Sequence, residues 1–218
     1  MEESKNLMAG AWQLVKKEAK NSLLVAFLFA LILAVFFEFL FKAGAIFEAG
    51  SKAVGWCELI VELLICALPI GFSACFLDLA RKGKVDTARL FAGYAGLVPL
   101  AKTIWLVIAQ SVLLWLWLFV LVVPSFIKLY SYSMSFFVLL DNPKLGAFAA
   151  IDESRRLMHG NKLRLLKLQC RFLGWFLLAL LTCGLAALWV APYYYTAKAG
   201  LYLKLKAEKE FDVSKIAG

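Results

Sequence analysis

The sequence predicts an all-α fold, a polytopic membrane helical bundle. About six transmembrane helices form three hairpins, with cytoplasmic amphipathic helices between them and both the N and C termini inside. Three observations predict it. Hydrophobic residues make up 63% of the 218, where soluble domains hold ~45–50%, and the mean hydropathy is +0.79. These residues gather in long apolar runs, most of them near the ~20 residues that cross a bilayer as a helix. The formal charge of +9 is concentrated in alternate connections between the runs, as the positive-inside bias requires.

"NLMAGAWQLVKKEAK" comes before the first run. Met8, Ala11, Trp12, Val15 and Ala19 share one helical stripe, with Lys16, Lys17 and Lys20 off it. Within residues 1–21 this predicts an amphipathic helix lying in the headgroup plane. The first span covers about 22–41. It exceeds the apolar core of a cleaved signal peptide and follows a whole amphipathic helix, so it reads as a retained span. The second span, about 57–79, ends at "LARKGK", after which Asp86 is placed to cap a short helix with "TARLFAG" as its body. A third span, about 101–123, stops at Pro124, which cannot continue the hydrogen-bond ladder. A short fourth returns over about 125–140.

"DNPKLGAFAAIDESRRLMHGNK" then predicts a cytoplasmic amphipathic helix over 143–159. Asp141 or Asn142 would cap it, Pro143 suits its first position and Gly160 its end. Its small-residue face, Ala147, Ala150 and Ser154, is a candidate helix-packing face, within the chain or against a partner. The fifth and sixth spans, about 165–184 and 186–203, join tightly at "TCGLA", and 204–218 form a polar tail. The whole chain, 1–218, reads as a single membrane domain.

Counting basic residues sets the orientation. Residues near the end of a span are assigned to the connection they adjoin. On that basis 21 of the 24 Lys and Arg residues precede span 1, separate spans 2 and 3 or 4 and 5, or follow span 6. The other side holds Lys42, Lys52 and Lys128. Both termini are therefore expected in the cytoplasm, in the inner membrane of a cell.

This charge pattern excludes nucleic acid as the expected partner, because the basic residues lie between spans and not on one face of a soluble domain. Five cysteines, Cys57, Cys66, Cys75, Cys170 and Cys183, form no C-x-x-C pair and suit neither a disulfide framework nor zinc. No phosphate-binding glycine loop or metal-ligand cluster occurs, and the one histidine, His159, sits on a cytoplasmic helix away from Ser73 of "GFSAC". No enzyme, cofactor or metal is expected.

The chemical clue is acidic. Glu58 and Glu62 stand four residues apart on one face at the outward end of span 2, Glu62 a turn deeper than Glu58. Glu38 ends span 1 four residues before Lys42, and Lys128 enters span 4 from the same side. Ionisable groups inside spans mark proton and ion pathways, so Glu62, Glu58, Glu38 and Lys128 form a candidate outward-facing proton or cation site. The bland account, pairing of Glu62 with Lys128 or its protonation, explains it without function and comes first. Pro69 with Gly71 in span 2 and Gln110 in span 3 are the further features that a broken-helix transport site would use. On the cytoplasmic side, Arg81, Lys82, Lys84, Arg155, Arg156, Lys162, Arg164 and Lys167 are candidate anionic-lipid contacts.

Three stretches, "PSFIKLYSYSMSFFVLLDNP", "ESRRLMHGNKLRLLKL" and "FLGWFLLALLTCGLAALWVAPYYYT", carry a resemblance, supported earlier by "LPIGFSACFLDLARKGK" and "LFAGY". Over roughly residues 10–206 the chain resembles the bacterial integral-membrane family called domain of unknown function 975. The resemblance implies a multi-pass protein of the bacterial cytoplasmic membrane. It brings no assigned activity and no catalytic residues.

Two functions follow as expectations. The first is a non-catalytic scaffold, tolerance factor or partner subunit, in contact with the lipid bilayer, anionic lipids and a membrane-protein partner or a second copy of itself. The alternative is a small transporter or channel for protons, cations or a small solute, using the acidic site.

Overall fold

A computed structural model describes residues 2–47, 65, 67–120, 122–182 and 184–217. Among these residues the chain is all-helical, with no strand. The elements are α1 (Glu2–Lys17), α2 (Ala19–Phe47), α3 (Leu68–Lys82), a 3-10 helix (Thr87–Tyr94), α4 (Leu97–Val120), α5 (Val122–Tyr132), α6 (Ser135–Asp141), α7 (Ala147–Met158), α8 (Lys162–Leu181) and α9 (Ala187–Ala217). Two of them are long and apolar enough to cross a membrane, over Ala19–Phe36 in α2 and Leu97–Leu116 in α4.

The amphipathic stripe of α1 finds a partner within the chain. Ala11 and Val15 are buried, and the Trp12 ring lies 6.3 Å from Trp175 of α8, 5.8 Å from Trp189 and 5.5 Å from Tyr193 of α9. The stripe packs against protein, where three aromatic rings of α8 and α9 meet it.

The cap at Asp86 is as expected: its carboxylate accepts from the Ala88 N–H at 3.0 Å. The short helix that follows is 3-10 and lies directly against α3. A Cβ on Gly71 would stand 1.7 Å from the Leu90 carbonyl oxygen, and one on Gly93 would stand 2.7 Å from the Ala67 oxygen. Only two glycines let these backbones approach so closely. Gly71 therefore serves packing, and α3 itself begins at Leu68, inside the span expected over about 57–79, with Pro69 in its first turn.

A helix is also interrupted further along the chain. The fourth predicted span is two helices, α5 and α6, interrupted at Ser133 and Met134. Partners from other helices satisfy the interruption: Ser154 Oγ donates to the Ser131 carbonyl at 2.8 Å and accepts from the Met134 N–H at 3.3 Å. Gln110 Nε2 of α4 donates to the Tyr132 carbonyl at 3.3 Å. Irregular backbone needs such partners wherever water is excluded.

Two boundaries also move. The helix expected from Pro143 starts at Ala147, after Gly146, and it ends before Gly160 as expected. Asp141 is the last residue of α6 and caps nothing after it. The stretch read as a polar tail continues α9 in helical form to Ala217, because its charged residues find partners on neighbouring helices.

Large apolar side chains face outward in stripes: Leu24, Phe27, Leu31 and Val35 on α2; Trp105, Ile108, Val112 and Trp115 on α4; Leu173, Leu177, Leu180 and Leu181 on α8. Their i, i+3, i+4 spacing gives each helix one inner and one outer apolar face.

Gly71→Ala is expected to cost at least ~1–3 kcal/mol through overpacking, while Gly10→Ala, with nothing within 4 Å, should gain ~0.5–1 kcal/mol. Thermal unfolding of the purified chain in detergent would show the first as a clear loss of Tm and the second as a small rise.

Candidate functional site: a cross-tied charged end

The ends of seven elements meet at one end of the bundle, and charge joins them. Asp141 is the centre of the largest cluster. Its side chain is 3% exposed, and its two oxygens accept from Arg81 of α3 at 2.6 Å and from Lys206 and Tyr202 of α9 at 2.8 Å each. Tyr202 and Lys206 are four residues apart, so one face of α9 supplies both donors. Burial pushes the Asp141 carboxyl up. The hydrogen bonds from Lys206, Arg81 and Tyr202 outweigh that and leave it below the usual carboxylate value.

A second buried acid, Asp78 of α3, accepts from Arg89 of the 3-10 helix at 2.8 Å and pairs with Lys82 at 3.2 Å. Glu3 of α1 pairs with Lys204 of α9 at 2.9 Å and approaches Arg164 of α8 at 3.6 Å. Burial raises the Glu3 carboxyl, and the Lys204 hydrogen bond with the Arg164 charge brings it below its usual value. Arg164 also pairs with Glu208, which raises the guanidinium further, and Lys209 pairs with Glu153 of α7. The N-terminal helix, the end of α3, the α6–α7 connection, the start of α8 and the late part of α9 thus share one end.

Of the eight predicted lipid contacts, five are committed to carboxylates. They are Arg81 to Asp141, Lys82 to Asp78, Arg155 and Arg156 to Asp152 at 3.5 and 3.1 Å, and Arg164 to Glu208 and Glu3. Lys84, Lys162 and Lys167 carry no salt bridge among the described residues, and Lys84 and Lys167 are exposed. Of the eight, these three are left without a carboxylate among the described residues.

The acidic candidates fare differently. Glu58 and Glu62 lie outside the described residues. Glu38 is exposed on α2 and Lys128 is partly buried on α5. The small-residue face of α7 is occupied inside the chain: Ala147, Ala150 and Ser154 are all buried, and Ser154 ties down the α5–α6 break. Ser73 Oγ donates to the Pro69 carbonyl at 2.8 Å and His159 is exposed.

Sequence reasoning missed Asp141, which it assigned to a cap. The local signal was misleading, since Tyr202 and Lys206 stand at i, i+4 where the last apolar run ends and Glu210 follows one turn on as a nearer acid. Pairing across 61 and 65 positions is what a linear reading does not supply.

The family model described as "Protein of unknown function (DUF975)" matches residues 98–209. The chain belongs to this family. The match takes in α4 to α9 almost whole, with Asp141, Tyr202 and Lys206, and is narrower than the resemblance from residue 10 suggests. Arg81, Asp78 and Glu3 lie before it. No curated protein and no solved structure matches the chain.

Asp141→Asn keeps the shape and removes the charge. It should cost roughly 1–3 kcal/mol, reduced from the fully buried case because Arg81 and Lys206 remain partly solvated. Tyr202→Phe should cost about 0.5–1.5 kcal/mol. Because the folded carboxyl titrates below its unfolded counterpart, its stability contribution is present above ~pH 4 and is lost as pH falls through the folded value. Wild type should therefore lose Tm on acidification below ~pH 4 more steeply than Asp141→Asn, as read by a Tm series against pH.

Proposed function

We propose that the chain is a non-catalytic, multi-pass protein of the bacterial cytoplasmic membrane, a scaffold or partner subunit whose charged end faces the cytoplasm. Its spans run as three hairpins, six in all, with both termini inside. One observation carries the reading: long outward apolar stripes on α2, α4 and α8 adjoin an end where Arg, Lys, Asp and Glu are cross-tied. Soluble monomers rarely expose apolar patches of such extent, whereas a bilayer solvates them. The four regions that the charge count assigns to the cytoplasm are those the ion pairs gather, which supports a single orientation.

At that end Lys84, Lys162 and Lys167 engage the phosphates of anionic lipids, each worth ~1 kcal/mol near the surface. The ion pairs make this surface rigid, and a rigid cationic face is what a scaffold presents to headgroups. A partner subunit would meet the protein along the outward stripes and not along the small-residue face of α7, which is already filled. Ala150→Leu would then disturb folding, not partnership.

Membranes washed with alkaline carbonate should retain the chain. A C-terminal fluorescent-protein fusion should be bright, and a C-terminal alkaline-phosphatase fusion inactive. Release by carbonate, or an active C-terminal phosphatase, would contradict the reading. The triple variant Lys84→Gln, Lys162→Gln, Lys167→Gln should co-purify with less phosphatidylglycerol at unchanged Tm, measured by native mass spectrometry.

A further inference from the structure

Beside the α5–α6 break lies a cavity of about 260 Å³. The turn residues Tyr132 and Ser133 form part of its wall, where an unbroken helix would present a continuous face. Gln169 of α8 forms another part and is fixed in place: its Oε1 accepts from Tyr130 OH at 2.6 Å and its Nε2 donates to Tyr194 OH at 2.9 Å. The remaining wall is mostly apolar and aromatic, with one cation, Lys198 of α9.

Lys198 stands apart from the other basic residues of α9. Lys204, Lys206 and Lys209 each have a carboxylate. The Lys198 ammonium instead lies 5.9 Å from the ring centroids of both Phe137 and Tyr195, which line the same cavity. Among the described residues no ion pair or hydrogen bond reaches it. Asp141, which meets this helix one turn further on at Tyr202, is taken by Arg81, Tyr202 and Lys206. Two aromatic faces hold a cation weakly, and Lys198, half-buried at the cavity, has no carboxylate beside it among the described residues.

We propose that this cavity binds a small carboxylate with an apolar body, its anion on Lys198 and its body against the Phe137 and Tyr195 rings. This goes beyond the scaffold reading, since it gives the protein a soluble ligand. Size, charge and chemistry select the class. Drug-sized ligands occupy ~300–1,000 Å³, so the cavity suits an amino-acid-sized or short aromatic acid, while a halide of roughly water's ~30 Å³ would leave most of it empty. One lysine neutralises one negative charge; a phosphate dianion would leave one charge unpaired and lacks the arginine fork it favours. Broken helices lining a cavity are also where membrane proteins place solute sites.

The test uses the full chain purified in detergent, with benzoate as the probe and benzyl alcohol as its uncharged counterpart. Benzoate should raise Tm in a saturable way and benzyl alcohol should not. Lys198→Met should weaken the apparent benzoate affinity ~10–100-fold, the worth of a charge-assisted hydrogen bond. If Lys198→Met fails to fold, wild type alone decides. Acetic anhydride should acylate Lys198, benzoate should protect it, and acylation of Lys84 should be unaffected, all read by peptide mass spectrometry. No saturable benzoate response in wild type, an unchanged affinity in folded Lys198→Met, or no protection of Lys198 would overturn the proposal. So would protection by decanoate but not by benzoate, which would assign the space to a lipid chain.

Discussion

Asp141 accepts from three donors that belong to two helices far from it in sequence, and it does so with almost no exposure to solvent. A carboxylate so placed is tolerable only while its donors stay in position, since an unpaired buried charge costs several kcal/mol. The ends of α3, α6 and α9 are therefore fixed relative to one another by a constraint that apolar packing cannot supply. Apolar contacts slide; a carboxylate that must satisfy Arg81, Tyr202 and Lys206 at once does not. The Glu3, Arg164 and Glu208 cluster applies the same constraint to α1 and α8, and Asp78 applies it to the 3-10 helix.

Once that end is fixed, the rest of the bundle can present apolar surface outward. In the bilayer proposed above, stripes such as Leu24, Phe27, Leu31 and Val35 would gain nothing from burial against lipid relative to burial against one another. Helix association must then come from close packing and from polar contacts. Both are present: the glycine approach of α3 to the 3-10 helix, and the Ser154 and Gln110 hydrogen bonds at the α5–α6 break. The break carries its own consequence, because the residues that satisfy its backbone also leave a cavity beside it, with Lys198 in the wall.

The helical class and the positions of most helices were legible in the sequence, because apolar runs and basic connections are local signals. The Asp86 cap and the stop before Gly160 were legible for the same reason. What was not legible is pairwise and long-range. The α1 stripe reads identically whether its partner is lipid or Trp175, Trp189 and Tyr193. The residues 204–217 look like a solvated tail until Glu3, Glu153 and Asp141 are brought alongside. Lys198 was counted with the cytoplasmic basic residues, where topology alone seemed to explain it, and only the cavity around it distinguishes it from Lys204. The Glu58 and Glu62 pair lies outside the described residues, so the fold adds no argument about it.

The central claim is that α1 and the late part of α9 are tied together on the cytoplasmic side. The most direct measurement is thiol cross-linking of Glu3→Cys with Lys204→Cys, in a chain whose five native cysteines are replaced by alanine. Oxidation in native membranes should give an intramolecular disulfide. A membrane-impermeant maleimide should block it in inside-out vesicles and leave it intact in right-side-out ones. Absence of the cross-link, or blocking from the outer side, would contradict the account.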